Sequence, residues 1–214
     1  MSDVVNLTLQ IMTVSDMAVP RWMTPWAQHL FAIPTHMTPQ ERLVLLQTAV
    51  NLPQNFTVVE IGSYLGASTA FLGFAALQKN GNVHAIDPWM NTAMGAEGQR
   101  DTFGEFAKNT APFKHYITAH RGESAEIQRR VGSIPCDMIF IDGDHSYNAV
   151  VTDLRCWLPS LKPGGILAMH DMDAPTVKQA FDEVVGANVL QPPQLVERLL
   201  ICLPTPATAA VRAS

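Results

Sequence analysis

The sequence has few charged residues and few cysteines, and each scarcity excludes a class of protein. Aspartate, glutamate, lysine and arginine make up 15% of the 214 residues, against 47% hydrophobic residues. Such a composition is unlike a disordered chain and suits a sheet that is buried on both faces. The three cysteines, Cys136, Cys156 and Cys202, are an odd number without a C-x-x-C pair. They indicate reduced thiols rather than a disulfide framework or a structural zinc site.

The charge balance and the hydrophobic runs exclude two kinds of partner. The net charge of -5 gives no overall positive field that would favour nucleic acid or an anionic membrane. No apolar run reaches the length of a membrane span, and Met1-Ser2-Asp3 is not followed by the basic stretch and apolar core of a secretory signal. We therefore expect a cytoplasmic protein that binds neither nucleic acid nor membrane.

What the sequence does contain is a regular alternation of strand and helix patterns. A capping box at Thr38-Pro39-Gln40-Glu41 predicts a helix from Pro39 to about Val50. Because strands then alternate with helices, we predict an α/β fold with a right-handed, doubly wound parallel sheet. The predicted strands are 57–61, 82–86, 115–118, 137–141, 165–170 and 198–203, and the predicted helices are 68–78, about 98–109, 124–131, 146–157 and 176–185.

Three segments follow from this pattern. Residues 38–203 form the predicted domain, and residues 204–214 are expected to be a flexible tail. Residues 1–37 are rich in Met, Pro and Trp and have no clear period. Such side chains serve either as adaptable packing or as an apolar wall, so this segment is either a cap on the domain or a substrate lid.

A glycine loop follows the first strand and indicates a cofactor site. Glu60 ends an apolar run, Gly62 and Gly66 follow at a G-x-x-x-G spacing, and Ser68 and Thr69 suit a helix N-terminus. Such a loop can also be a turn that merely packs on the sheet. Its context favours a site, because Asp87 ends the second strand, where such folds place an acid that accepts hydrogen bonds from ribose hydroxyls.

The same loop argues against a dinucleotide. The fingerprint G-x-G-x-x-G needs a glycine at position 64, which is Tyr in this chain. Its third glycine is missing as well, because none follows Gly66 at the required spacing. A carboxylate such as Glu60 repels phosphates and attracts a cationic amino-acid group. S-adenosylmethionine carries ribose, ammonium and sulfonium and has no phosphate, so it is the cofactor that the loop favours.

A polar cluster, Asp142-Gly143-Asp144-His145, follows the strand 137–141. Asp144 or Ser146 could simply cap the next helix, but capping accounts for only one polar residue. Asp142 and Asp171 would end neighbouring strands and could share a magnesium ion through their oxygens.

Three stretches in this order resemble class I methyltransferases, in particular the catechol O-methyltransferase-like and macrolide-sugar (macrocin-type) groups. They are Glu60–Ser68, Asp137–Tyr147 and Leu161–Asp171, and the resemblance covers roughly residues 38 to 185. It implies a Rossmann-like, mostly parallel seven-stranded sheet with a small N-terminal helical cap. It also implies S-adenosylmethionine-dependent O-methyl transfer to a small hydroxylated molecule, such as a sugar, a polyketide or a catechol-like compound.

The resemblance also assigns roles to residues. It implies cofactor contacts from Glu60, Gly62, Ser63, Tyr64, Gly66, Ser68, Asp87, Ser124 and Asp142. Trp89 would either pack near the adenine or cover the sheet edge. His145 matches the general base, a role that suits an imidazole with a pKa near 6.5. The implied metal ligands are Asp142, His170 and Asp171.

His170 departs from those families, in which an oxygen ligand is usual at this position. Imidazole suits manganese, iron or zinc better than magnesium. The expected ion is Mg²⁺ or Mn²⁺, and His170 would either bind a softer ion directly or contact only a water.

Two alternatives from other classes are a dinucleotide-dependent oxidoreductase and a non-catalytic cofactor-binding protein. A homodimer through the N-terminal segment is a further expectation.

Overall fold

The protein is represented by a computed structural model, which describes residues 21–91 and 98–205. The first 20 residues of the expected cap and residues 206–214 of the expected tail lie outside the described residues. The remainder of the cap consists of a short 3-10 helix, Arg21–Met23, and the helix α1, Thr24–Ala32. No helix in these ranges is both long enough and apolar enough to cross a membrane.

The described strands form a single sheet, and their order contains a topological switch point, the place where open α/β sheets bind ligands. The strands are β1 Thr57–Ile61, β2 Asn82–Asp87, β3 Ile117–Arg121, β4 Cys136–Ile141, β5 Leu161–Met169, β6 Gln194–Val196 and β7 Leu199–Cys202. Their order in the sheet is β3-β2-β1-β4-β5-β7-β6. The first five strands in this order pair in parallel, whereas β7 is antiparallel to both β5 and β6. The predicted seven-stranded, mostly parallel sheet is confirmed.

Helices cover both faces of this sheet. The helices after α1 are α2 Pro39–Val50, α3 Ala67–Lys79, α4 Phe103–Thr110, α5 Ser124–Val131, α6 Tyr147–Trp157 and α7 Pro175–Val184. One buried cluster contains residues of α1, α2 and α3, and a second contains residues of α5, α6 and α7. The capping box predicted for α2 is present, because Thr38 Oγ1 accepts from Glu41 N–H and Glu41 accepts from Thr38 N–H.

Several predicted boundaries differ from the structure. The helix expected over about 98–109 begins only at Phe103, and the strand expected over 115–118 is shifted to 117–121 because a 3-10 helix covers 111–116. Strand β5 begins at Leu161 rather than 165, and β6 is an additional strand. The expected tail begins as paired chain, since Pro204 bridges Val189 and Thr205 N–H donates to the carbonyl of Asn188.

Strands β1 and β4 are parallel neighbours, so their carboxyl ends lie side by side, and the order of the strands reverses between them. Backbone hydrogen bonds continue beyond the strands: Gly62 N–H donates to Ile86 O at 2.9 Å, and Asp142 N–H donates to Ile61 O at 2.8 Å. His170 N–H donates to Ile141 O at 3.0 Å. The loops after β1, β4 and β5 therefore meet at one edge of the sheet, where open α/β sheets bind ligands.

Candidate functional site

Two adjoining pockets open at the carboxyl edge of the sheet. The Asp87 pocket lies over the ends of β1, β2 and β3, and the His145 pocket lies over the glycine loop and the loops after β4 and β5. Both pockets are lined by Gly62, Tyr64, Asp142 and Gly143. Because they share these residues, a ligand in one pocket would meet a ligand in the other at the loop after β1.

The two glycines of the loop are required by its packing. Gly62 has φ +83°, and a Cβ there would lie 2.0 Å from the backbone oxygen of Asp142. Gly66 has φ +85°, and its Cβ would lie 2.7 Å from Thr110 Cγ2. A side chain at position 62 would thus separate the loops after β1 and β4 before it touched any ligand. The clash is with the protein itself, so a Gly62 variant does not test ligand binding alone.

Asp87 holds the glycine loop in place. One carboxylate oxygen, Oδ2, accepts hydrogen bonds from the backbone N–H groups of Ser63 at 2.7 Å and Tyr64 at 2.9 Å. The other, Oδ1, accepts from Trp89 N–H. Asp87 is half-buried and lines the Asp87 pocket, where it would face ribose hydroxyls. Asp87 thus lies at the end of β2 beside the pocket, and its hydrogen bonds shape the loop.

Glu60 lies behind the loop. Its side chain is fully buried, and Oε2 accepts from Ser63 Oγ at 3.0 Å and from Thr69 Oγ1. Ser68 also donates to this carboxyl group, but burial dominates and raises the pKa of Glu60 to about 7. As the described residues outline them, neither pocket is lined by Glu60, whereas Ser63 and Ser68 line the His145 pocket. Glu60 thus reaches the site through the hydroxyl groups that it orients.

Of the two residues expected near adenine, one lies at the pocket and one does not. Ser124 begins α5 and lines the Asp87 pocket. Trp89 is fully buried and packs on Phe103 and Phe106, with ring centroids 5.0 and 4.6 Å away. This packing corresponds to the second reading of Trp89, a cover for the sheet edge.

The loops after β4 and β5 bring acids and histidines together. His170 is 2% exposed, and its Nδ1 lies 2.9 Å from Asp171 Oδ2 and 3.3 Å from Asp142 Oδ1. Its Nε2 lies 3.1 Å from Glu41 Oε2, without the alignment of a hydrogen bond. His145 Nε2 lies 2.9 Å from Asp171 Oδ2, and the His145 ring is about half exposed in the His145 pocket.

These contacts shift the pKa values of the cluster in opposite directions. Burial lowers the pKa of His170, but its contacts with Asp142 and Asp171 outweigh burial and raise the pKa to about 11. Burial works against ionisation of Asp171, yet hydrogen bonds from His145 and His170 hold its pKa well below the usual value. The hydrogen bond to Asp171 raises the pKa of His145. A proton on His170 therefore balances the charge of the acids.

The predicted metal ligands fit a divalent cation. One ligand atom each from Asp142, His170 and Asp171 can be chosen so that all lie within 4.8 Å of one another. With neutral His170, Nδ1 presents a lone pair toward the two carboxylates, and Glu41 is the acid within reach of the Nε2 proton. Metal-ligating histidines commonly have such a partner. One nitrogen with two oxygens suits Mn²⁺ better than Mg²⁺, and binding would release the proton from Nδ1.

Two residues of this cluster were missed by the sequence analysis. Arg198 Nη1 lies 2.6 Å from Asp171 Oδ1, and Arg198 also donates to the carbonyl of His36. The tight turn between β6 and β7 carries Arg198 to this edge. Glu41, read only as a capping acid, is fully buried between His170 and the backbone N–H of Arg198. The capping box accounts for Glu41 only as a helix cap, and Arg198 belongs to no local motif, so no sequence signal placed either residue at this edge.

The Asp87 pocket is strongly acidic. It is lined by five carboxyl residues, Asp87, Glu123, Asp142, Asp144 and Asp153, and by no lysine or arginine of the described chain. Such a lining disfavours a pyrophosphate and suits a ligand with positive charge and hydroxyl groups. Asp153, in α6, is a further residue that the sequence analysis missed.

Comparisons with known proteins show the family of the chain. Residues 59–172 match the methyltransferase domain family. An uncharacterized protein, R132 of Acanthamoeba polyphaga mimivirus, is 27% identical over 144 residues, which are 62% of this chain and 60% of that protein. The chain thus spans about 60% of the length of this curated relative.

Solved structures share the fold at low sequence identity. CalS11, a TDP-rhamnose 3'-O-methyltransferase of calicheamicin biosynthesis, has a TM-score of 0.61 at 14% identity over 88% of each chain. TomG, an O-methyltransferase of tomaymycin synthesis from Streptomyces achromogenes solved with S-adenosylmethionine, has a TM-score of 0.61 at 19% identity over 89% of this chain and 92% of its own. Cofactor-bound Rv0187 from MTB has a TM-score of 0.64 at 16% identity over 90% of this chain and 92% of its own.

Proposed function

The chain belongs to the methyltransferase domain family and has the fold of class I S-adenosylmethionine-dependent methyltransferases, and from this premise we propose that it transfers a methyl group to a hydroxyl of a small molecule. The observation that carries the proposal is the pair of pockets that share Gly62, Tyr64, Asp142 and Gly143. A cofactor in the Asp87 pocket and an acceptor in the His145 pocket would meet at these residues.

S-adenosylmethionine suits the Asp87 pocket better than a dinucleotide. The cofactor supplies a methyl group on a sulfonium when bound, and it carries positive charge without phosphate. The five carboxyl residues of the pocket would attract that charge and would repel the pyrophosphate of NAD. Asp87 would accept hydrogen bonds from the ribose hydroxyls, and Ser124 would contact the adenine. The acidic lining thus disfavours the oxidoreductase alternative.

His145 is the proposed general base. A hydroxyl that attacks a methyl sulfonium must lose its proton, and a neutral imidazole at the pocket can accept it. Asp171 holds the His145 ring through Nε2 at 2.9 Å, which leaves Nδ1 to take the proton and lets the carboxylate stabilise the imidazolium that forms. Arg198 in turn holds the other oxygen of Asp171.

Asp142, His170 and Asp171 would hold a divalent metal ion beside this base. A bound ion would act as a Lewis acid that lowers the pKa of the acceptor hydroxyl. Because His170 supplies nitrogen, we propose Mn²⁺ as well as Mg²⁺. The ion has to displace the Nδ1 proton of His170, so its affinity should rise with pH.

The lining of the His145 pocket favours a polar acceptor. Its side chains include the hydroxyl groups of Thr35, Ser63, Tyr64 and Ser68. Hydroxyl groups of this kind hydrogen-bond a sugar or a hydroxylated polyketide better than a flat apolar ring. We therefore place sugar-like acceptors first, ahead of catechol-like ones.

The proposal is tested with S-adenosylmethionine that carries a ¹³C-labelled methyl group. The protein, with Mg²⁺ or Mn²⁺, is incubated with nucleotide sugars, glycosides, hydroxylated polyketides and catechols, and S-adenosylhomocysteine and labelled products are measured. We expect label on oxygen of a sugar-like acceptor, seen by its carbon chemical shift. Label found on nitrogen or carbon would contradict O-methyl transfer.

A further inference from the structure

One hydrogen bond in the Asp87 pocket, from the proposed adenine contact Ser124 to Asp153, has no role in the function proposed above. Ser124, the first residue of α5, donates its hydroxyl hydrogen to Oδ1 of Asp153 in α6, and both residues line the pocket. Asp153 is 6% exposed, and no ion pair to it is found among the described residues. The neighbouring charges are those of Glu123 and Asp144, which have the same sign.

A buried carboxyl group without a cationic partner is costly. Desolvation opposes its ionised form, and in Asp153 this burial raises the pKa to about 7. A link between two helices could be made at lower cost by a neutral residue. The placement of this acid at the wall of a ligand pocket therefore points to a role toward the ligand.

The pair fixes the direction of the Ser124 hydroxyl. A serine hydroxyl has one hydrogen and two lone pairs. Above its pKa Asp153 is ionised and can only accept, so the Ser124 hydrogen is directed at it and Ser124 offers only a lone pair to the pocket. The group of the ligand that meets Ser124 must then be a hydrogen-bond donor.

The position of the pair matches the base of the cofactor. Asp87 ends β2, and Ser124 follows the neighbouring strand β3, with Gly122 N–H bonded to the Asp87 carbonyl at 3.1 Å. A ribose held by Asp87 would place its base toward Ser124. Resting on the proposed function, we propose that Ser124 accepts a hydrogen bond from the 6-amino group of adenine and that Asp153 is the positioning residue that imposes this polarity.

This arrangement predicts discrimination between purines. A 6-oxo purine presents an acceptor where adenine presents a donor, so it would face the Ser124 lone pair without a hydrogen bond. A site that leaves a buried polar group unpaired rejects such an analogue. Glu123 lines the same pocket, but its side chain is exposed, so a water molecule can hydrogen-bond its carboxylate when the ligand does not.

The test is calorimetric titration with S-adenosylhomocysteine and with S-inosylhomocysteine, its 6-oxo analogue, at pH 8, where Asp153 is ionised. The unaltered protein should prefer the adenosyl compound by at least about tenfold. Ser124→Ala should bring the ratio of affinities close to one. In Asp153→Asn the amide can donate to the serine oxygen and free the hydroxyl hydrogen for the pocket, so the preference should fall or invert.

Two control variants make the readout specific. Ser133→Ala removes a serine hydroxyl that hydrogen-bonds Ser160 outside the pocket. Glu123→Gln removes the carboxylate next to Ser124 that could accept a hydrogen bond from the ligand in its place. Both should keep the ratio of the two affinities, while Glu123→Gln, which removes one of the five acids of the pocket, should lower the two affinities by the same factor. Thermal denaturation should show that all variants are folded; if Asp153→Asn is not, the Ser124→Ala ratio decides.

Equal affinity of the unaltered protein for both compounds would overturn the inference. A preference that survives Ser124→Ala, or one that is lost in Glu123→Gln, would overturn it as well. Failure of the unaltered protein to bind S-adenosylhomocysteine at all would instead refute the proposed function, and this inference with it.

Discussion

Removal of the Asp87 carboxylate should weaken cofactor binding and loosen the glycine loop together. In the structure this group accepts hydrogen bonds from the backbone N–H groups of Ser63, Tyr64 and Trp89. The bound cofactor would add its ribose hydroxyls as donors to the same oxygens. Asp87→Ala should therefore cost about 1–3 kcal/mol of binding free energy, which is an increase of about 5- to 150-fold in the dissociation constant.

The assay is calorimetric titration with S-adenosylhomocysteine, combined with urea denaturation. Asp87→Ala should also lower the free energy of unfolding by about 1–3 kcal/mol, because the backbone N–H groups of buried Ser63 and Trp89 and of half-buried Tyr64 lose their acceptor. Asp87→Asn should lose nearly as much affinity, since an amide nitrogen would face backbone donors. The matched control is Asp182→Ala, which removes an exposed aspartate of α7 that pairs only with Lys178 in the described contacts.

An Asp87→Ala variant that binds S-adenosylhomocysteine as tightly as the unaltered protein would refute the assignment of Asp87 to the ribose. A variant that loses stability without losing affinity would show that the carboxylate serves the loop alone.

Three further predictions concern the base, the metal and the buried acid of the loop. In steady-state kinetics, His145→Ala should slow methyl transfer by about 10²–10⁴-fold with little change in S-adenosylhomocysteine affinity. The control His115→Ala alters an exposed histidine and should leave the rate unchanged. Chelation should abolish turnover, and Asp142→Ala should raise the metal concentration for half-maximal activity by at least about tenfold; full activity in excess chelator would contradict the metal site. The folded-state pKa of Glu60, about 7, lies above the unfolded value of 4.5, so stability falls as pH rises through this window. The free energy of unfolding of Glu60→Gln, relative to the unaltered protein, should thus rise by about 2–3 kcal/mol between pH 5 and pH 8 in urea denaturation, and a constant difference would count against the raised pKa.

The sequence was sufficient for the elements whose signals are local. Apolar β-branched runs marked β1, β2 and β4 to within a residue, and the capping box marked the start of α2. Strand β6 was not predicted because Pro192-Pro193 stands directly before it and has the composition of a loop. The start of β5 was predicted too late because Lys162-Pro163-Gly164-Gly165 has the composition of a turn, although these residues belong to the strand, across a register shift.

The candidate site divides in the same way. Residues at the ends of parallel strands, among them Asp87, Asp142 and Asp171, could be placed at one edge because the alternation of strands and helices dictates it. Glu41 and Arg198 come from α2 and from the β6–β7 turn, and only tertiary packing brings them to His170 and Asp171. Partners of this kind depend on how distant elements pack, which one sequence does not reveal.

The central claim, that the Asp87 pocket holds S-adenosylmethionine, is tested most directly by titrating the unaltered protein with S-adenosylhomocysteine and with NAD in parallel. The acidic lining of the pocket predicts binding of S-adenosylhomocysteine with one site per chain and no detectable heat from NAD at the same concentrations. Binding of NAD without binding of S-adenosylhomocysteine would contradict the account.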